Sequence, residues 1–72
     1  MEALEFLIRQ ECEYTDVPLK ELPTKPEYLI ACIGRKGRII IPGGDDRIQA
    51  GDSVVIVTTE RGTEDLREMF RR

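Results

Sequence analysis

The sequence predicts an α+β fold: a mainly antiparallel sheet with two short helices, in the order β-α-β-β-β-α. Three observations predict it. Residues 2–9 alternate, with Leu4, Phe6 and Ile8 facing one way and Glu5 and Arg9 the other, a period of two that marks a strand. Two further apolar runs, residues 28–33 and 38–41, flank Gly34-Arg35-Lys36-Gly37, whose composition suits a tight hairpin turn. Residues 53–59 are rich in valine and apolar on both faces, as in a central strand covered on two sides.

The remaining elements follow from local chemistry. The first strand is expected to run to about Cys12. Asp16 can cap a helical turn or two over residues 17–22. Pro18 fits the first turn, where its missing N–H costs nothing, and Leu19 and Leu22 share a face. Pro23 and Pro26 stop that helix and force an extended connection. After Gly62, Thr63 is expected to cap a second helix. Glu64 and Asp65 at its start and Arg71 and Arg72 at its end complement the helix dipole, and Leu66, Met69 and Phe70 form its apolar stripe.

The chain has 72 residues and a net charge of −3. We expect one domain spanning residues 1–72. A domain of this size has a thin core, and a partner subunit is one way to enlarge it. The charge disfavours generic nucleic-acid binding, which needs a basic stripe. Apolar runs are too short to span a bilayer, and no signal-peptide pattern is present. The chain therefore reads as soluble and cytoplasmic. With two cysteines and no histidine, a Cys/His zinc site is excluded. Cys12 and Cys32 read as buried, reduced thiols.

The segment between the last two strands, residues 42–52, is crowded with glycine and aspartate. Pro42 ends the third strand. Gly44 allows close backbone approach, and Asp45 and Asp46 can bond back to nearby amides. Ile48 is the one large apolar residue of the crossing and is expected to anchor it. Ala50-Gly51-Asp52 makes a second turn. The clustered carboxylates Asp45, Asp46 and Asp52 suit a hard cation, but their spacing is not that of an EF-hand, so we expect turn structure and no metal. Lys36 and Arg35 at the hairpin tip read either as a solvated turn or as an anion contact, since arginine offers a bidentate fork. No nucleotide-binding glycine motif occurs. No pair of groups is poised for acid–base catalysis, so we expect no enzyme and no cofactor.

The stretch EYLIACIGRKGRIIIPGGDDRIQAGDSVVIV resembles the C-terminal domain of the TrkA family, also called the C-terminal domain of the regulators of potassium conductance. The match falls on Ile33, Arg35, Ile40, Ile41, Pro42, Gly44, Asp45, Ile48, Gly51, Asp52 and Val54. PLKEL is similar to the family's first helix, and Met69-Phe70 to its usual close. Gly34 departs from the family, which often has a larger apolar residue there. The resemblance implies a homodimeric, ligand-sensing regulatory domain of a potassium uptake or channel complex. Its partner would be a membrane-embedded transporter or channel subunit, which would hold it at the inner face of the membrane. It also implies a small-molecule effector, with cyclic di-AMP bound at the dimer interface in some members. The positions matching that ligand site are Leu29, Ile30 and Arg35, with Ile33 and Pro42 beside them. The alternative is the same sensor module attached to another transporter or to a transcription regulator.

Overall fold

A computed structural model describes residues 1–71. Four strands form one sheet: β1 (Glu2–Leu7), β2 (Tyr28–Arg35), β3 (Arg38–Ile40) and β4 (Ser53–Thr58). They lie in the order β1-β4-β2-β3, and every neighbouring pair is antiparallel. β2 and β3 are joined by a two-residue turn in which Lys36 and Gly37 both take positive φ, 50° and 78°. That geometry matches the strand twist and brings Arg35 opposite Arg38.

β4 lies between β1 and β2, so its backbone is bonded on both sides. Its faces are unequal. Val54, Ile56 and Thr58 are buried, while Ser53, Val55 and Val57 are half-buried. The expectation of a strand covered on both faces is thus corrected: valine on the second face faces no layer of this chain. A bulge between Ile30 and Cys32 inserts Ala31 into β2. The extra residue lets both Ile30 and Ile33 serve the core side, three positions apart, while Leu29 and Cys32 point to the open side beside Val57 and Val55.

Both expected helices are single 3-10 turns. The first, Leu19–Glu21, starts at Pro18 and gives way to extended backbone at Leu22. Prolines at 18 and 23 leave too few residues for an α-helix. Asp16 does not cap it. That residue has φ 62° and donates its amide to the Ile48 carbonyl at 2.7 Å. The second, Leu66–Met69, is capped by Asp65 and Glu68 rather than by Thr63. Phe70 then becomes extended and bridges to Thr24, and the Arg71 amide donates to the Pro23 carbonyl at 2.6 Å. Pairing with that segment ends the helical geometry. Arg72, expected at the helix end, lies outside the described residues. β1 stops at Leu7 rather than near Cys12, because Ile8 turns into the core and residues 12–15 close a turn through the Thr15 hydroxyl. Cys12 and Cys32 are unbridged and half-buried rather than buried.

The core lies on one side of the sheet. It comprises Ile8, Ile33, Ile48, Val54, Ile56, Leu66 and Met69, with Leu4, Phe6, Leu19 and Ile40 packed at its edge. Residues 41–52 cross this side from β3 to β4, and Ile48 reaches 0% exposure beneath them. Replacing Ile48 by Ala should cost about 2–5 kcal/mol through lost transfer energy and the cavity left behind. Urea unfolding of the variant measures it. An unchanged midpoint would show that the crossing segment does not depend on this anchor.

Candidate functional site

Arg35 closes β2, and Asp52 immediately precedes β4. The hairpin and the turn at residues 49–52 bring them together. The Arg35 Nε and one Nη donate to the two Asp52 carboxylate oxygens at 2.9 and 2.8 Å, and the same Nη donates to the Arg47 carbonyl at 2.7 Å. Asp52 is 1% exposed. It also accepts the Gln49 amide at 2.8 Å. Burial pushes its carboxyl up, but the Arg35 fork, the Gln49 amide and the Arg35 charge outweigh burial and hold it below the usual carboxylate value. The Asp52 bond likewise raises the Arg35 guanidinium despite some desolvation.

The rest of the crossing segment is fastened piece by piece. Asp46 accepts the Gly43 amide at 2.6 Å. Asp45 reaches the Lys20 ammonium at 2.8 Å instead of a backbone amide. The Leu19 and Lys20 amides donate to the carbonyls of Asp46 and Gly44 at 2.9 and 3.0 Å. A Cβ on Gly44 would stand 3.2 Å from the Lys20 Cβ, so this approach depends on glycine. Gly51 takes φ +94° in the turn before β4. The three aspartates are each engaged by a different group, Lys20, the Gly43 amide and Arg35, rather than converging on one point.

Of the five residues matched to a ligand site, three line one cleft. Leu29, Ile30 and Pro42 border a hollow of about 410 Å³ together with Lys20, Lys25, Tyr28 and Gly44, a volume within the range of small-molecule sites. Leu29 is 66% exposed and belongs to both the cleft and the open sheet face. Ile33 is fully buried in the core and does not line the cleft. Arg35 does not line this cleft. Tyr28 is held from behind, its hydroxyl 2.8 Å from that of Thr63. Lys20, Lys25 and Tyr28 escaped the sequence reading. The available signal was K-x-x-x-x-K across a proline-stiffened segment, which is weak until the loop packs beside it.

A larger hollow, about 950 Å³, lies between residues 13–25 and the C-terminal turn. Tyr14 and Phe70 pair there with ring centroids 5.3 Å apart. Burial, with a hydrogen bond to Cys12, pushes the Tyr14 phenol up to about 12, so it stays protonated. Its acids are largely used: Asp65 holds Arg67, and Glu68 accepts the Glu64 and Asp65 amides. Lys25, Arg67 and Arg71 also line this larger hollow, but beside the acids Glu13, Asp65 and Glu68. The smaller cleft is the better candidate because its lining, among the described residues, joins an apolar wall to lysines with no acid.

A family model described as the TrkA-C domain matches residues 3–71. The chain is 29% identical over 72 residues to the Trk system potassium uptake protein TrkA homolog of Pyrococcus abyssi, covering 99% of this chain and 32% of that protein. It is 33% identical over 66 residues to the Trk system potassium uptake protein trkA homolog 1 of Methanosarcina mazei, covering 92% of this chain and 16% of that protein. The chain thus spans about a third or less of the length of these curated relatives. Its fold is similar to a solved structure described as "Structure of RCK domain with cda", with a TM-score of 0.71, 21% identity, and coverage of 85% of this chain and 84% of that one.

The Arg35–Asp52 pair makes stability depend on acid. The folded Asp52 titrates below its ordinary value. Its contribution is therefore complete above the unfolded carboxyl pKa, about 3.9, and is lost as pH falls through the lower folded value. Asp52→Ala should lose about 3 kcal/mol at neutral pH, because it strands a partly buried guanidinium. The gap between wild type and variant should shrink on acidification. Urea midpoints across the acid range test this, and a constant gap would mean that the carboxylate charge does not carry the effect.

Proposed function

The chain belongs to the TrkA-C domain family, and from that premise we propose that it is the ligand-sensing, dimerising regulatory unit of a potassium uptake or channel complex. Its effector site is the cleft at Leu29, and cyclic di-AMP is the ligand we assign to it. The relatives' names support the potassium setting, and the RCK domain described as being with cda supports a ligand-bearing version of this fold. No helix among the described residues is long and apolar enough to cross a membrane. In our reading the unit is cytoplasmic and meets the membrane through a transporter or channel subunit.

The observation that carries the reading is the open sheet face. Leu29, Ile39 and Leu7 are 66%, 77% and 53% exposed, and the half-buried Val55, Val57 and Cys32 lie on the same side. Glu5 also stands on this side, opposite Val55, but the face is predominantly apolar. Such a surface on so small a protein marks an interaction site, and a second copy would bury it by two-fold pairing. Leu29 links that face to the cleft, so a ligand there would lie at the interface edge. Binding and subunit pairing would then be coupled. The lysines at the cleft can meet the phosphates, and Leu29, Ile30 and Pro42 can meet the bases.

Sedimentation should show a dimer at micromolar concentration. Ile39→Asp, remote from the cleft lining, should dissociate it while leaving circular dichroism unchanged. Saturating cyclic di-AMP should raise the melting temperature of wild type, since a ligand at 100 times its dissociation constant adds about 2.7 kcal/mol. A monomeric wild type would overturn the pairing, and absence of any shift or heat at millimolar ligand would overturn the effector.

A further inference from the structure

Lys25 is half-buried and, among the described residues, has no ion-pair partner. A lysine at such a position buries its aliphatic stem while its ammonium stays accessible to an anion. Its backbone is fixed, the amide donating to the Met69 carbonyl at 2.7 Å, and Pro23 and Pro26 stiffen the segment on either side. Lys25 therefore starts from a rigid base and lines the cleft beside Tyr28 and Leu29, while also bordering the larger hollow. Lys20 enters the same cleft from the first 3-10 turn. Its ammonium sits 2.8 Å from Asp45, with both side chains largely exposed at 61% and 89%. Such a pair is weak and exchangeable.

Arg35 is engaged elsewhere through two of its three nitrogens. Its Nε and one Nη are committed to Asp52 and the Arg47 carbonyl, and it is not part of the cleft wall. Resting on the cyclic di-AMP reading above, we propose that Lys25 and Lys20 form the phosphodiester subsite of the cleft, that Asp45 competes with the ligand for Lys20, and that Arg35 acts as a positioning residue. Lys25 supplies a standing positive charge. Lys20 leaves Asp45 for the phosphate when the ligand enters. Arg35 fixes the crossing segment, which brings Pro42, Gly44 and Asp45 to the cleft. The apolar wall then takes the base. The sign of the Asp45 effect separates this arrangement from a purely structural role, since a turn residue would harm binding when altered.

The test is calorimetric titration of cyclic di-AMP into wild type, Lys25→Gln and Asp45→Asn, with circular dichroism on each. Lys25→Gln should weaken binding about tenfold or more, as expected for a lost charge-assisted bond. Asp45→Asn should tighten it about two- to fivefold, the worth of an exposed ion pair no longer opposing the ligand. Wild-type binding with unchanged affinity in Lys25→Gln would overturn the lysine subsite and leave the effector assignment standing. Weaker binding by a folded Asp45→Asn would overturn the competition. No heat with wild type would overturn both this subsite and the effector reading.

Discussion

Asp52 has almost no contact with solvent, and Arg35 and the Gln49 amide between them occupy its oxygens. A carboxylate can be buried at this position only because a guanidinium fork and a backbone amide replace its water. Much of the structure depends on that replacement. The pair ties the end of β2 to the start of β4, adjacent strands separated in sequence by a hairpin and a long crossing segment. The third bond of the fork, to the Arg47 carbonyl, fixes the crossing segment one residue before Ile48. The polar pair sets where the loop lies, and the apolar side chain beside it fills the core.

Position of the crossing segment in turn decides the shape of the cleft. Gly44 can lie against Lys20 because it carries no side chain, and the Lys20 and Leu19 amides close onto the loop carbonyls. Pro42 is thereby presented to the same hollow as Leu29 and Ile30. Arginine at position 35 thus has an architectural role within one subunit whatever it does toward a ligand. Lysine would be a poor replacement, since its point charge cannot grip both carboxylate oxygens while holding a carbonyl.

The sheet is covered on one side only. A chain of 72 residues has too little apolar volume to build layers on both faces. The same valine-rich β4 that supplies Val54 and Ile56 to the core leaves Val55 and Val57 half-buried on the other side. The limited size of the chain thus leaves an apolar sheet face uncovered, and Leu29 belongs both to that face and to the cleft.

Some of this was determined by the sequence alone. Alternation in residues 2–9 and the Lys36-Gly37 turn specify strands and a hairpin locally, because side-chain period and positive φ depend on few neighbours. The density of glycine, proline and aspartate between residues 42 and 52 marks a shaped crossing for the same reason, and the family pattern is carried by those residues. Helix length was not legible. Residues 17–22 and 63–70 carry helical signals, yet pairing of Thr24 with Phe70 and of Pro18 with Arg47 draws the chain into extended backbone, and nothing local announces a pairing across more than 25 positions. The bulge at Ala31 was equally silent, although it decides which residues of β2 face the core. Arg35 and Asp52 stand 17 positions apart, as do other charged pairs in the chain, so only the folded sheet selects them as partners. Lys25 gains its meaning the same way: a lysine of the sequence becomes a half-buried residue lining a cleft, without an ion-pair partner among the described residues, once the loop and the C-terminal turn pack around it. Short-range stereochemistry is written residue by residue, whereas burial and charge pairing belong to the tertiary arrangement, because they depend on what the rest of the chain brings near.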